Sequence, residues 1–108
     1  MDMFHATVLT PDTKAFEGQV ASLVIPGLDG KFGVLAYHAP MVAGVAAGVL
    51  KIGGDVGERY MDIGSGTVTI GNNEAVLLVE SAFERTDGTN PSIPHVAAKT
   101  DMAESLEI

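Results

Sequence analysis

The side chains in this chain equipped for acid–base or metal chemistry are three histidines and a scatter of carboxylates, because cysteine is absent. His5, His38 and His95 stand on separate segments, without the His-x-His or His-Glu-x-x-His spacing that brings two imidazoles to one ion. They read as structural or surface histidines. Glu80, Glu84 and Asp87 are the nearest group of carboxylates, and a solvated face accounts for them better than an acid/base pair. Gly27-x-x-Gly30-x-x-Gly33 has a phosphate loop's glycines but neither its Gly-Lys-Ser/Thr ending nor a following helix pattern. No catalytic residue, metal or cofactor is expected, and a hydrolase would need a site converged by the fold alone.

What the stretch Ile25 to Pro40 offers instead is a docking surface. The glycine period predicts a tight, polar-tipped turn around Leu28, Asp29 and Lys31. Phe32, Tyr37 and Met41 would lie near an exposed patch, since aromatic and methionine side chains are enriched at interfaces. Phe32 and Met41 as ordinary core residues is the competing reading.

Short extended segments must position this stretch. Met3 to Leu9 alternates Phe4, Ala6 and Val8 with His5 and Thr7, and Thr10-Pro11-Asp12 ends it. Lys14 to Gln19, Val20 to Ile25 (closed by Pro26-Gly27), Phe32 to Leu35 and Met41 to Ala47 follow as strands, with a corner at Tyr37 to Pro40. Val49 to Ile52 and Glu58 to Ile63 are joined through Gly53 to Gly57, and Thr67 to Ile70 meets Glu74 to Glu80 across Gly71-Asn72-Asn73. Nine strands of four to eight residues, with turn signals every ~8–12 residues, predict an all-β sandwich. After Arg85 the chain turns polar, with Pro91 and Pro94, and Val96 to Leu106 reads as a short, weakly held helix or a frayed tail.

At 108 residues the chain is long enough for one core. No apolar run approaches the ~18–20 residues of a membrane span, and no leader pattern opens the chain. Fourteen Asp and Glu against six Lys and Arg, a formal charge of −8, would repel a phosphate backbone, so nucleic acid is not expected as a partner.

Pro26-Gly27-x-Asp29-Gly30-x-Phe32-Gly33-Val34-Leu35-x-x-His38-Ala39-Pro40 resembles the signature loop of the epsilon subunit of bacterial F1Fo ATP synthase, the equivalent of the mitochondrial delta subunit. Thr10-Pro11, Phe16-x-Gly18, Gly48-Val49-Leu50-x-Ile52, Ser65-Gly66 and Ala82-x-Glu84-Arg85 keep the family's spacing, so the resemblance runs from about residue 3 to 86.

The resemblance implies a ten-stranded β-sandwich over residues 1–86 and a short tail over 87–108 in place of the family's inhibitory helical hairpin. It implies a non-catalytic rotor subunit that couples c-ring rotation and proton transport to ATP synthesis. Such a subunit binds gamma and the polar c-ring loops, with the alpha/beta hexamer as a further contact. It lies peripherally at the cytoplasmic face of the bacterial inner membrane, without inserting. By position, Asp29, Gly30, Lys31 and Phe32 would face the c-ring, and His38, Met41, Val42 and Ala43 would face gamma. Lys31 departs from the family's acidic or neutral residue and is expected to pair with Asp29 or with the ring. Tyr37 replaces nothing in the motif but follows a missing proline, and it is expected to compensate by packing. The alternative is a free-standing β-sandwich that binds a small ligand or sugar, although the chain has no tryptophan and two tyrosines.

Overall fold

In the computed structural model, residues 2–54 and 57–85 are described, and they form ten strands. These are β1 (Phe4–Leu9), β2 (Lys14–Val20), β3 (Ser22–Gly27), β4 (Gly30–Leu35), β5 (Met41–Val45), β6 (Gly48–Gly54), β7 (Gly57–Ile63), β8 (Gly66–Gly71), β9 (Glu74–Val79) and β10 (Ala82–Glu84). The alternation in β1 is realised as written: Phe4, Ala6 and Val8 are buried, and His5 and Thr7 stand on the other face. Nine of the strands are those the residue pattern predicts. β10, three residues long with two of them exposed, has too little periodicity to be read locally. The tail expected at 87–108 lies outside the described residues, as do Asp55 and Val56 of the expected Gly53-to-Gly57 connection; Gly54 pairs with Gly57.

The strands run in the order β10-β7-β6-β3-β5-β8-β9-β1-β2, with β4 bonded to the free side of β3. The order folds over at β3–β5, where a single pair, Gly27 with Val45, joins the two halves. Both β5 and β6 lie antiparallel to β3, but Val45 faces Gly27 while Lys51 faces Val24. Six steps of chain therefore oppose three, and the surplus around Ala46 to Val49 lets the strand leave one layer for the other. Pro26 sits at this split. It has no N–H to donate, and its carbonyl accepts from the Ala46 N–H at 2.7 Å. β3 accordingly runs through Pro26 to Gly27 instead of stopping at Ile25.

Between the layers Val8, Val20, Leu23, Ile25, Val34, Val45, Leu50, Val68 and Leu77 are fully buried. Each of the larger ones stabilises the fold by about 1.5–3 kcal/mol relative to exposure. At the far side β2 comes back over β6. There the Arg59 guanidinium of β7 lies 5.1 Å from the centre of the Phe16 ring of β2 and makes a two-point ion pair with Glu84 of β10, at 2.9 and 2.6 Å. One side chain thus ties three strands.

Arg59→Ala should lower stability by about 0.5–1.5 kcal/mol in urea unfolding, most of it from the lost ring contact and ion pair. Glu84 is held below the ordinary carboxylate range by Arg59, Glu17 by Lys14 and then His5, and Glu58 by Lys51 and then Tyr60. A lowered carboxylate contributes stability that is complete above its unfolded value, here 4.5, and is lost as pH falls through the folded value. The melting temperature should therefore be level between about pH 7 and 5 and decline below about pH 4.5. A melting temperature that held steady to pH 3 would show that these pairs contribute nothing.

Candidate docking cleft

β3 and β4 form a hairpin closed by a turn of only two residues, Leu28 and Asp29, with Gly27 paired to Gly30. The period of three glycines is thus not a loop: Gly33 lies in mid-strand, and β4 starts at Gly30, two residues before the expected Phe32. Leu28 and Asp29 keep negative φ, so the left-handed step that completes the reversal falls on Gly30, at φ 120°. A Cβ there would strain the backbone although no atom stands in its way.

The hairpin tip is seated on β5. The Leu28 N–H donates to the Gly44 carbonyl at 3.2 Å, and the Leu28 side chain lies against Gly44 so closely that a Cβ at Gly44 would collide with it. Beside this joint opens a cleft of about 500 Å³ lined by Gly27 to Phe32 and by Met41 to Gly44. Seven of the eight residues expected at contacts, Asp29, Gly30, Lys31, Phe32, Met41, Val42 and Ala43, line it together. The two segments expected to face different partners share one recess.

His38 is not in the cleft. It stands in the connection to β5, where its Nδ1–H donates to the Ala39 carbonyl at 2.7 Å and its backbone N–H to the Leu35 carbonyl. Phe32, Met41 and Ala43 pack partly against the core and form walls, which satisfies both competing readings of Phe32 and Met41. The apolar surface offered outward belongs to Val42, 73% exposed, and to Leu28, 70% exposed. Leu28 is the residue that reading by motif passes over; its signal is a leucine in a turn position, where polar residues prevail.

Lys31 does not pair with Asp29. Lys14, Lys51, Arg59 and Arg85 each hold a carboxylate (Glu17, Glu58, Glu84 and Asp62), and Lys31 alone among the described Lys and Arg residues forms no ion pair. The cleft mouth therefore carries two uncompensated charges of opposite sign.

The corner that follows β4 is held by backbone, not by the packing expected of Tyr37. The Tyr37 ring is 72% exposed, its φ is 64°, and its N–H donates to the Asn73 side-chain oxygen at 2.7 Å. The Asn73 side-chain amide in turn donates to the Met3 carbonyl at 3.0 Å. Asn72 and Asn73 both have positive φ, as a two-residue β8–β9 hairpin turn demands, so Asn73 closes its own turn and anchors the corner and the start of β1.

No group of three or more His, Cys, Asp or Glu able to hold a metal occurs among the described residues, and no described helix is long and apolar enough to cross a membrane. A two-layer sandwich with an amphipathic recess where the layers join defines a small β-sandwich domain. A model of the ATP synthase Delta/Epsilon chain β-sandwich domain matches residues 3–85, and the chain belongs to that family. It is 33% identical to the ATP synthase epsilon chain 2 of Nitrobacter hamburgensis, over 98% of this chain and 76% of the relative. It is 35% identical to the ATP synthase epsilon chain of a Nitratiruptor species, over 98% and 81%. In fold it matches a chain of the Euglena gracilis mitochondrial ATP synthase OSCP/F1/c-ring structure at a TM-score of 0.72 and 22% identity. That match covers 76% of this chain, which spans about half (53%) of the Euglena chain's length. A chain of the Tetrahymena thermophila mitochondrial ATP synthase central stalk/c-ring structure matches at a TM-score of 0.63 and 16% identity, over 88% of this chain and 82% of that one.

Asn73→Gly keeps the left-handed turn and removes only the two side-chain hydrogen bonds, so it should cost about 1–3 kcal/mol in urea unfolding. Asn73→Ala should cost about 1 kcal/mol more, because it adds the strain of positive φ on a Cβ. Equal losses for the two variants would show that the turn conformation is not what the asparagine supplies.

Proposed function

We propose that this chain is a non-catalytic central-stalk subunit of an ATP synthase, one that couples c-ring rotation and proton transport to ATP synthesis by docking on gamma and on the polar loops of the c-ring. The observation that carries the proposal is the shared cleft. Segments 29–32 and 41–43 converge on one recess with apolar walls and two free charges, a surface suited to holding protein loops. The names of its relatives and the assemblies in which its fold neighbours sit support the same reading.

In this proposal Asp29, Gly30, Lys31 and Phe32 meet the ring, and Met41, Val42 and Ala43 meet gamma from the other wall of the same recess. His38, in the connection that leads into β5, is the further gamma contact of this reading. The sandwich of residues 1–86 is the docking unit and residues 87–108 are a short tail. In the same reading the subunit lies peripherally at the cytoplasmic face of the bacterial inner membrane. The alpha/beta hexamer is a further contact of the assembled subunit in this reading.

Gly30→Val should leave the sandwich folded at a cost of about 1–3 kcal/mol, because the β-branched residue is strained at positive φ. Assembled enzyme carrying it should hydrolyse ATP yet pump protons poorly, measured as ATP-driven quenching of a pH-sensitive dye in inverted vesicles. Normal pumping would refute ring docking through this hairpin. Mixing the chain with gamma at micromolar concentration should give a complex on size exclusion, and its absence would remove the stalk assignment.

A further inference from the structure

Among the described residues β4 is bonded on one side only. Its whole length pairs with β3, and no other described strand pairs with it. Residues of an antiparallel strand alternately turn their backbone groups toward the partner and away from it. The two-residue turn makes Gly27 and Gly30 mutual partners, so Phe32 and Val34 also address β3, while Lys31, Gly33 and Leu35 address the open side. The Leu35 carbonyl accepts from His38. The N–H groups of Lys31, Gly33 and Leu35, and the carbonyls of Lys31 and Gly33, have no partner on that side among the described residues.

An open edge is ordinarily blunted by proline, a bulge or charged side chains, lysine above all, and here the one such device is the exposed Lys31. Gly33, at the centre, leaves the backbone bare; even a Cβ would meet nothing nearer than the Leu23 carbonyl oxygen, at 3.9 Å. A hollow flanks each end of the edge: the cleft with Leu28 and Val42 at one end, and a recess beside Leu35 and Tyr37 at the other. Both flanking pairs are exposed apolar side chains. The unpaired Lys31 stands at the first of the hollows, among the residues that line the cleft.

The geometry points to β4 as the acceptor of an added strand: an extended segment of a partner polypeptide hydrogen-bonds to Lys31, Gly33 and Leu35 and sets a carboxylate against Lys31. A second copy of this chain answers the edge less well. Antiparallel pairing of two β4 strands about Gly33 would bring Lys31 opposite Leu35 and leave both lysines unpaired, and each copy carries −8. The docking reading above matters here only for which polypeptide supplies the strand.

The full chain is titrated with a capped heptapeptide of alternating valine and threonine with glutamate at its centre, and with the same peptide carrying lysine instead. The glutamate peptide should slow amide exchange at Lys31, Gly33 and Leu35 by about tenfold at saturation, as strand addition requires. It should bind at least about threefold tighter than the lysine peptide. Gly33→Pro removes the central outward N–H without touching a β3–β4 hydrogen bond, and it should abolish the protection while the remaining amide spectrum stays folded. Unprotected edge amides, equal affinity for the two peptides, or an unaffected Gly33→Pro variant would overturn the assignment. So would self-association on sedimentation that Gly33→Pro abolishes, which would mark the edge as a dimer contact. Binding of gamma is read separately: a peptide response without a gamma complex sinks the stalk reading alone, and a gamma complex with unprotected edge amides sinks this one alone.

Discussion

The seating of the β3–β4 hairpin on β5 is the joint on which the rest of the molecule depends. One residue pair, Gly27 with Val45, and two flanking hydrogen bonds, from Leu28 to Gly44 and from Ala46 to Pro26, connect the two layers along the ladder. Side chains must stay out of the way for backbones to come this close, so glycine occupies position 44 beneath Leu28. Proline occupies the one place in β3 where a donor would have no acceptor, because β6 has just left and β5 has just arrived. The cleft is the geometric result, since a hairpin tip laid across a strand that is leaving its layer cannot close flush against it.

Among the described residues, every lysine and arginine except Lys31 at this corner is answered by a carboxylate. The ion pairs elsewhere are exposed except on the Arg85 side of the Arg85–Asp62 pair, and the exposed ones contribute little to stability, but together they neutralise four of the five described cations in a chain that is strongly acidic overall. Arg59 does more than its neighbours because its planar guanidinium meets a ring and a carboxylate at once. At the hairpin tip Asp29 and Lys31 remain free, with Leu28 and Val42 bare beside them. Exposed apolar surface framed by unanswered charge is the arrangement expected of a site that binds reversibly, with the charges setting orientation and the apolar residues supplying area.

Local chemistry made most of the architecture legible. The alternation of Phe4, Ala6 and Val8, the Gly71-Asn72-Asn73 turn and the proline stops predict nine strands because each signal depends on neighbours a few positions apart. The same locality explains the errors. Three evenly spaced glycines look like a loop until one sees that Gly33 merely faces an open edge, and Pro26 looks like a strand end until β6 and β5 are found sharing β3. β10 carries almost no signal of its own and exists because Ala82, Phe83 and Glu84 find Ile63, Asp62 and Met61 already laid out.

The amino-acid sequence alone determined that this is an all-β sandwich of the ATP synthase Delta/Epsilon type, since hydrophobic period, turn residues and a long motif are all written contiguously. Tertiary structure decided how the residues of that motif are grouped. Only the fold brings 28–32 and 41–44 into one recess, leaves Lys31 without the carboxylate that two positions of sequence offer it, and sends the Tyr37 N–H to an asparagine 36 positions away. The physical reason is that contact across a sandwich depends on where strands change layers. That path follows from burying the whole core at once, which no local run of residues encodes.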